Sequence, residues 1–381
     1  RMQQRRRLAI FVLATFALAT TAHTAVPIPK PPAIDARATI LVDYDSGRVL
    51  AEANADERME PASLTKIMTA YLAFDALKEG RLKLDEEIPV SEHAWRSEGS
   101  RSFVQVGTRI PAEVLIKGMI VQSGNDATIA IAERLGGTED AFAQMMNAYA
   151  QKLGMKNTHF DNSTGLPGAT HYTTARDMAL LARAVIRDFP QYYRWYSLRE
   201  FVWNNIRQQN RNGLLERDPS VDGIKTGHTS SAGYCLATSA KRASMRLVSV
   251  VFGTASMKAR EDASAALLNY GFTFYETVKV KGRGETVLAP RLYKGAEEHV
   301  AIAPRGDVYV TVARGDAALV KTSATAKEPL VAPVALNQAL GKMVVSVGAD
   351  TVARVPLFPV KAIPEGGWWT RMVDGVALMW N

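Results

Sequence analysis

The chain has 381 residues, 47% of them hydrophobic and 22% charged, which is enough to bury a large core and fill two domains. Its formal net charge is +8, a sign that favours anionic surfaces such as cell-wall polymers or lipid head groups; with no nucleic-acid motif present, no nucleic-acid partner is expected. The single cysteine, Cys235, excludes an intramolecular disulfide, and the six histidines show no metal-ligand clustering, so neither metal nor cofactor is expected.

Arg5-Arg6-Arg7 precede an apolar run over 8–19, and small residues follow at Thr20-Thr21-Ala22. This is the pattern of a secretory leader, and the run is short for a membrane span. A signal peptide is expected over 1–25, with translation starting at Met2. Cleavage after Ala22 puts small residues at both key positions, whereas cleavage after Ala25 puts His23 at one. Residues 27–32 follow as an extended, proline-rich linker.

The first chemical motif is Ser63-Leu64-Thr65-Lys66. Apolar residues at 64, 67, 68, 71 and 72 predict a helix with one buried face, and Pro61 prevents its backward extension. Ser63 then sits in the first helical turn, near free backbone N–H groups and the positive end of the dipole. Lys66 lies one turn on, along the same face. A serine hydroxyl needs a base before it attacks, and burial together with nearby positive charge turns a lysine into one.

Ser123-Gly124-Asn125 falls between two apolar runs, one ending near Gln122 and one starting at Asp126. The spacing predicts a tight connection between buried helices, with Gly124 supplying the unusual backbone. A hydroxyl and an amide held there can relay a proton and hold a substrate amide. An ordinary capping pair is the plain alternative.

Lys225-Thr226-Gly227 precedes two strand-like runs, 234–239 and 246–252, joined by a polar turn over 240–245. A β-hairpin stack is expected, with the motif on a strand beside the cleft. Gly227 lets substrate approach the backbone, and Thr226 and Lys225 offer a hydroxyl and a cation to a carboxylate. Cys235, in an apolar run, is expected to be a buried packing thiol.

These three motifs, in this order, form the signature of penicillin-binding proteins and class A β-lactamases. The chain resembles the low-molecular-mass penicillin-binding proteins of the serine-type D-alanyl-D-alanine carboxypeptidase family over roughly 31–278. Further segments carry the likeness, among them Ile40-Leu41-Val42-Asp43-Tyr44-Asp45-Ser46-Gly47, Leu153-Gly154-Met155, Asn210-Arg211-Asn212-Gly213 and Asn269-Tyr270-Gly271.

The resemblance implies an α/β (α+β) β-lactamase/transpeptidase-like catalytic domain with an antiparallel sheet. It implies that Ser63 is acylated by a D-Ala-D-Ala peptide, with Lys66 as base and Ser123 and Asn125 as its partners. Lys225, Thr226, Gly227, His228 and Arg260 would shape the substrate site, the backbone N–H of Ser63 and one near His228 forming the oxyanion hole. β-Lactams would be covalent inhibitors. Residues 160–168 hold no glutamate, unlike the deacylating loop of class A β-lactamases, so a bound β-lactam is expected to leave slowly. A D,D-endopeptidase and a catalytically idle penicillin-binding scaffold are the alternatives. A triad built on His228 is disfavoured because Lys66 already fills the base role.

Beyond Val278, short β-type runs separated by Gly, Pro and charged turns predict a small all-β sandwich over 279–362. A helix is expected within 365–381, with 368, 369, 372, 373, 376, 379 and 380 on one apolar face. It is too short to span a bilayer and suits an interfacial helix with tryptophans at head-group depth; the family carries a similar anchor. The expectation is an exported enzyme, peripheral on the periplasmic side of the bacterial inner membrane.

Overall fold

The computed structural model describes residues 27–379; the expected leader lies outside them. The catalytic unit is built on a five-stranded sheet. Its strands are β1 (Ala38–Asp43), β2 (Val49–Ala53), β3 (Val221–Thr229), β4 (Gly233–Arg242) and β5 (Met245–Thr254), in the order β2-β1-β5-β4-β3 and antiparallel throughout. The last two strands run longer than the apolar runs that predict them, because polar ends such as Lys241 and Arg246 still pair across the turn.

Both sheet faces are covered, which is why β5 carries an almost unbroken apolar run. Val248, Val250 and Phe252 enter one core and Leu247 and Val251 the other, as the two-residue alternation of a strand requires. Helix α5 (Ala175–Asp188) lies on the first face and α6 (Met257–Phe274) on the second. Each starts at a side-chain cap, Thr174 accepting from Asp177 N and Ser256 from Ala259 N, worth about 1 kcal/mol each. On the α5 side lie α1 (Lys66–Lys78), α2 (Ala112–Val121), α3 (Asn125–Gly136) and α4 (Glu139–Lys152). Helix α1 is buried along most of its length, so the nucleophile's neighbourhood sits on a rigid rod.

The second unit is all β, with its own core around Val310, Met343, Val345 and Leu357. Strand β6 (Tyr275–Lys281) pairs with β7 (Val308–Ala313), so its first ladder begins at Tyr275, ahead of the change in composition. Strands β8 (Val320–Ala326), β9 (Gly341–Val347) and β10 (Asp350–Pro359) form the other sheet, with Ile302–Ala303 on its edge. The junction between units is polar: the buried Asp43 carboxylate accepts from Ser46 N and from Thr277 Oγ1, and Arg48 donates to Thr311 O.

The C-terminal helix, α7 (Trp368–Ala377), exposes Trp368, Trp369, Met372, Val373 and Val376. Its opposite face docks on the β unit through Asp374, which is buried, accepts from the backbone N–H of Lys294 and pairs with Arg291 at 3.4 Å. The predicted apolar stripe is therefore exposed as far as Met379 while a polar residue holds the helix down; Trp380 lies outside the described residues. No described helix is long and apolar enough to cross a membrane.

Candidate active site

Ser63 lies in a short 3-10 turn, Ala62–Thr65, that leads into α1, so Lys66 rather than Ser63 opens the α-helix. Ala62 holds φ at +48°, a left-handed conformation that costs a non-glycine residue about 1 kcal/mol or more. Gly165 crosses directly above it: a Cβ there would lie 1.7 Å from the Ala62 carbonyl oxygen. The nucleophile's turn is thus clamped from outside.

Lys66 Nζ is 2.9 Å from Ser63 Oγ and donates to the Thr164 carbonyl at 2.7 Å. The side chain is almost wholly buried. Burial, then the charge of Arg211, lowers its pKa to about 7, with Asp126 and Glu139 pulling the other way. A neutral amine donating to Thr164 O can aim its lone pair at Ser63 Oγ. That geometry activates a serine without a histidine.

Ser123 and Asn125 link α2 to α3, as expected, but the backbone roles are exchanged. Ser123 adopts the left-handed conformation, φ +64°, while Gly124 is extended. Gly124 is required for space, since a Cβ would lie 2.0 Å from Ser102 Oγ. The Ser102 segment is tied to α3 by Asp126, which accepts from Ser102 N at 2.7 Å and from Val104 N at 3.2 Å. Asn125 donates to Glu98 O. Ser123 Oγ and Asn125 Oδ1 are buried and have no hydrogen-bond partner among the described residues. Such groups are costly unless something else satisfies them, and both border the cavity beside Ser63.

That cavity, about 600 Å³, is bordered on one side by the outer strand β3. Thr226, Gly227 and His228 all face it. A Cβ on Gly227 would sit 3.2 Å from Ser63 N, so this glycine makes room for the nucleophile's own turn as well as for a ligand. His228 is exposed at the rim and stacks on Tyr234 with ring centroids 4.0 Å apart. Arg260 reaches from α6, buried, donating to Gly227 O at 3.2 Å and Arg211 O at 3.3 Å, with its Nε unpaired.

Lys225 precedes Thr226 on β3 and, like Lys66, is buried, with Nζ donating to Thr226 O at 2.9 Å. Burial, followed by the charges of Lys66, Arg211 and Arg260, pushes it well below its ordinary value. Among the described residues, the arginines that line the cavity are Arg211 and Arg260. Arg211 was legible only as part of a polar segment, and Thr164 acts through a carbonyl that no side-chain pattern reveals. Cys235 is buried and its thiol is pushed up to about 11 by burial, which makes it a poor nucleophile.

A serine activated by a buried lysine, with unpaired donors and cations gathered around one cavity, defines a serine hydrolase that works through an acyl-enzyme. The chain belongs to the D-alanyl-D-alanine carboxypeptidase family of serine peptidases: residues 25–256 match that family, peptidase S11, and residues 275–365 match the C-terminal domain of penicillin-binding protein 5. D-alanyl-D-alanine carboxypeptidase DacA of Escherichia coli is 40% identical over 99% of this chain and 96% of its own length, and DacC of the same organism is 41% identical over 96% and 94%. Penicillin-binding protein 5 from Haemophilus influenzae superposes with a TM-score of 0.84 at 39% identity, covering 88% of this chain and all of that one.

Proposed function

We propose that this enzyme removes the terminal D-alanine from peptidoglycan stem pentapeptides. The observation that carries this reading is the 2.9 Å contact between Ser63 Oγ and a Lys66 amine poised near pH 7. Lys66 Nζ takes the hydroxyl proton as Ser63 Oγ adds to the carbonyl of the penultimate residue. Backbone N–H groups at Ser63 and along β3 stabilise the oxyanion. Thr226, Arg211 and Arg260 hold the terminal carboxylate, and Asn125 Oδ1 accepts from a peptide N–H. Ser123 passes the proton to the departing D-alanine amine. Water then cleaves the Ser63 ester, completing hydrolysis. A β-lactam enters as the same acyl donor. Its acyl-enzyme persists because no glutamate stands on the 160–168 loop, and the nearby Glu139 is bound to Ser163 N and Oγ.

The exposed tryptophans and aliphatic side chains of α7 support a second part of the proposal. The enzyme acts on the periplasmic side of the inner membrane, exported by its leader and held peripherally by α7. Incubation with a D-Ala-D-Ala pentapeptide and with a crosslinked dimer, followed by mass spectrometry, tests the reaction. Release of one alanine from the pentapeptide, with the dimer intact, is expected. Cleavage of the dimer alone would make the enzyme an endopeptidase.

A further inference from the structure

A second polar cavity, about 440 Å³, opens between the two units, away from Ser63. Its floor is Tyr44 and Asp45, just beyond β1. One wall is Arg183 and Arg187, four residues apart on α5 and so on one helix face; the other is Arg283 and Arg305 from the β unit. A further space of about 350 Å³, sharing Asp45 and Arg305 with the first, continues along β10 past Val355 and Phe358. Together they make one groove crossing the domain junction.

The charge in this groove is not balanced. Arg187 is chelated by Asp188, and Asp307 by Lys279. Arg183 donates to the Tyr44 carbonyl, and Arg305 to the Leu336 carbonyl with its guanidinium 3.7 Å above the Phe358 ring. Among the described residues neither meets a carboxylate, and the Arg283 side chain has no polar partner. Three guanidiniums therefore face one unpaired carboxylate, Asp45. Burial, then Asp43, pushes the Asp45 carboxyl above its ordinary value, with Arg246, Lys241 and Arg183 pulling the other way. Arg183 and Arg305 are fixed by backbone contacts and, for Arg305, by stacking on a ring, so they are already ordered for a ligand.

We propose that this groove binds a phosphate-bearing anion, with Arg183, Arg283 and Arg305 as its ligands, bridging the catalytic and β units. Guanidinium forks match phosphate oxygens in pairs, and three of them, drawn from both units, can hold more than one phosphate. The phosphate comes either from a lipid head group or from a soluble or wall-bound polymer.

Calorimetric titration of the full chain with tripolyphosphate at low ionic strength tests this. Arg283→Gln is expected to weaken binding about tenfold, and Arg283→Gln/Arg305→Gln about a hundredfold. A control, Arg96→Gln/Arg207→Gln, loses the same charge from exposed surface pairs and should bind as the unmodified chain does. Penicillin acylation of Ser63 should be unchanged in all variants, confirming the fold. Vesicles of phosphatidylglycerol and of phosphatidylcholine separate the sources. Loss of the preference for phosphatidylglycerol in the groove variant assigns the phosphate to a head group; a retained preference beside weakened tripolyphosphate binding assigns it to a polymer. No binding by the unmodified chain, equal weakening in the control, or full binding by Arg283→Gln would overturn the proposal.

Discussion

His171 Nε2 stands 2.9 Å from Thr65 Oγ1, beneath the turn that carries the nucleophile. The other ring nitrogen accepts from Asp161 N at 3.2 Å, so Nε2 carries the proton and the ring is neutral. Burial lowers the pKa to about 4. An unfolded histidine takes up a proton below about 6.5, the folded one only below about 4. Stability should therefore fall as pH drops from about 6.5 to 4, by about 3 kcal/mol over that window. Urea unfolding measured across that range checks this. The drop should flatten in His171→Gln, and an equally steep drop in that variant would assign the effect to other groups.

Lys66 sets a second, kinetic pH dependence. Its amine is protonated below about pH 7 and cannot then take the Ser63 proton. The rate of Ser63 acylation by penicillin should fall about tenfold per pH unit below that point and level off above it. Arg211 lowers the lysine's pKa by charge, so Arg211→Gln should move the limb to higher pH. A limb unmoved by that change would show that Arg211 does not act on Lys66.

Carboxylate recognition is assigned to Thr226, Arg211 and Arg260. A C-terminally amidated pentapeptide should lose about 1.5–3 kcal/mol of transition-state binding per charge-assisted contact, roughly ten- to a hundredfold in kcat/KM. Arg260→Ala should erase part of the difference between acid and amide. Equal rates on acid and amide in the unmodified enzyme would contradict the assignment.

The helix α7 presents its apolar residues outward while Asp374 ties it to the β unit. Binding to membranes should therefore rest on apolar burial and resist high salt. Removal of 368–381 should free the mature enzyme from membranes in sedimentation and leave its activity intact. Sedimentation of the shortened chain with membranes would place the anchor elsewhere.

What the sequence shows of this site depends on how each residue contributes. Ser63, Lys66, Ser123, Asn125 and Thr226 present side chains at short, fixed spacings, so the chemistry proposed for them is visible as motifs. Thr164 acts through its carbonyl, and Gly165 through the space it leaves above Ala62; neither has a signature. Gly124 is needed for space because Ser102, about twenty residues earlier in sequence, occupies the volume a Cβ at 124 would need, a contact the motif does not reveal. Lys225 is a cation by composition, but its burial beside Lys66, Arg211 and Arg260, which lowers its pKa, comes from tertiary packing that the sequence does not show. The stripe on α7 shows in its period, whereas its docking does not, because Asp374 meets a backbone N–H on a distant loop. The sheet's two-sided burial was legible only as apolar runs, since which face meets which helix is settled by the α5 and α6 crossings.

Intact-protein mass spectrometry after exposure to benzylpenicillin tests the central claim, that Ser63 is the nucleophile and Lys66 its base. The unmodified chain should gain the mass of one penicilloyl group, and peptide mapping should place it on Ser63. Ser63→Ala should gain none, and Lys66→Ala should remain folded and unlabelled at neutral pH. A Ser63→Ala protein that still takes up one penicilloyl group, or a Lys66→Ala protein acylated at the normal rate, would contradict the account.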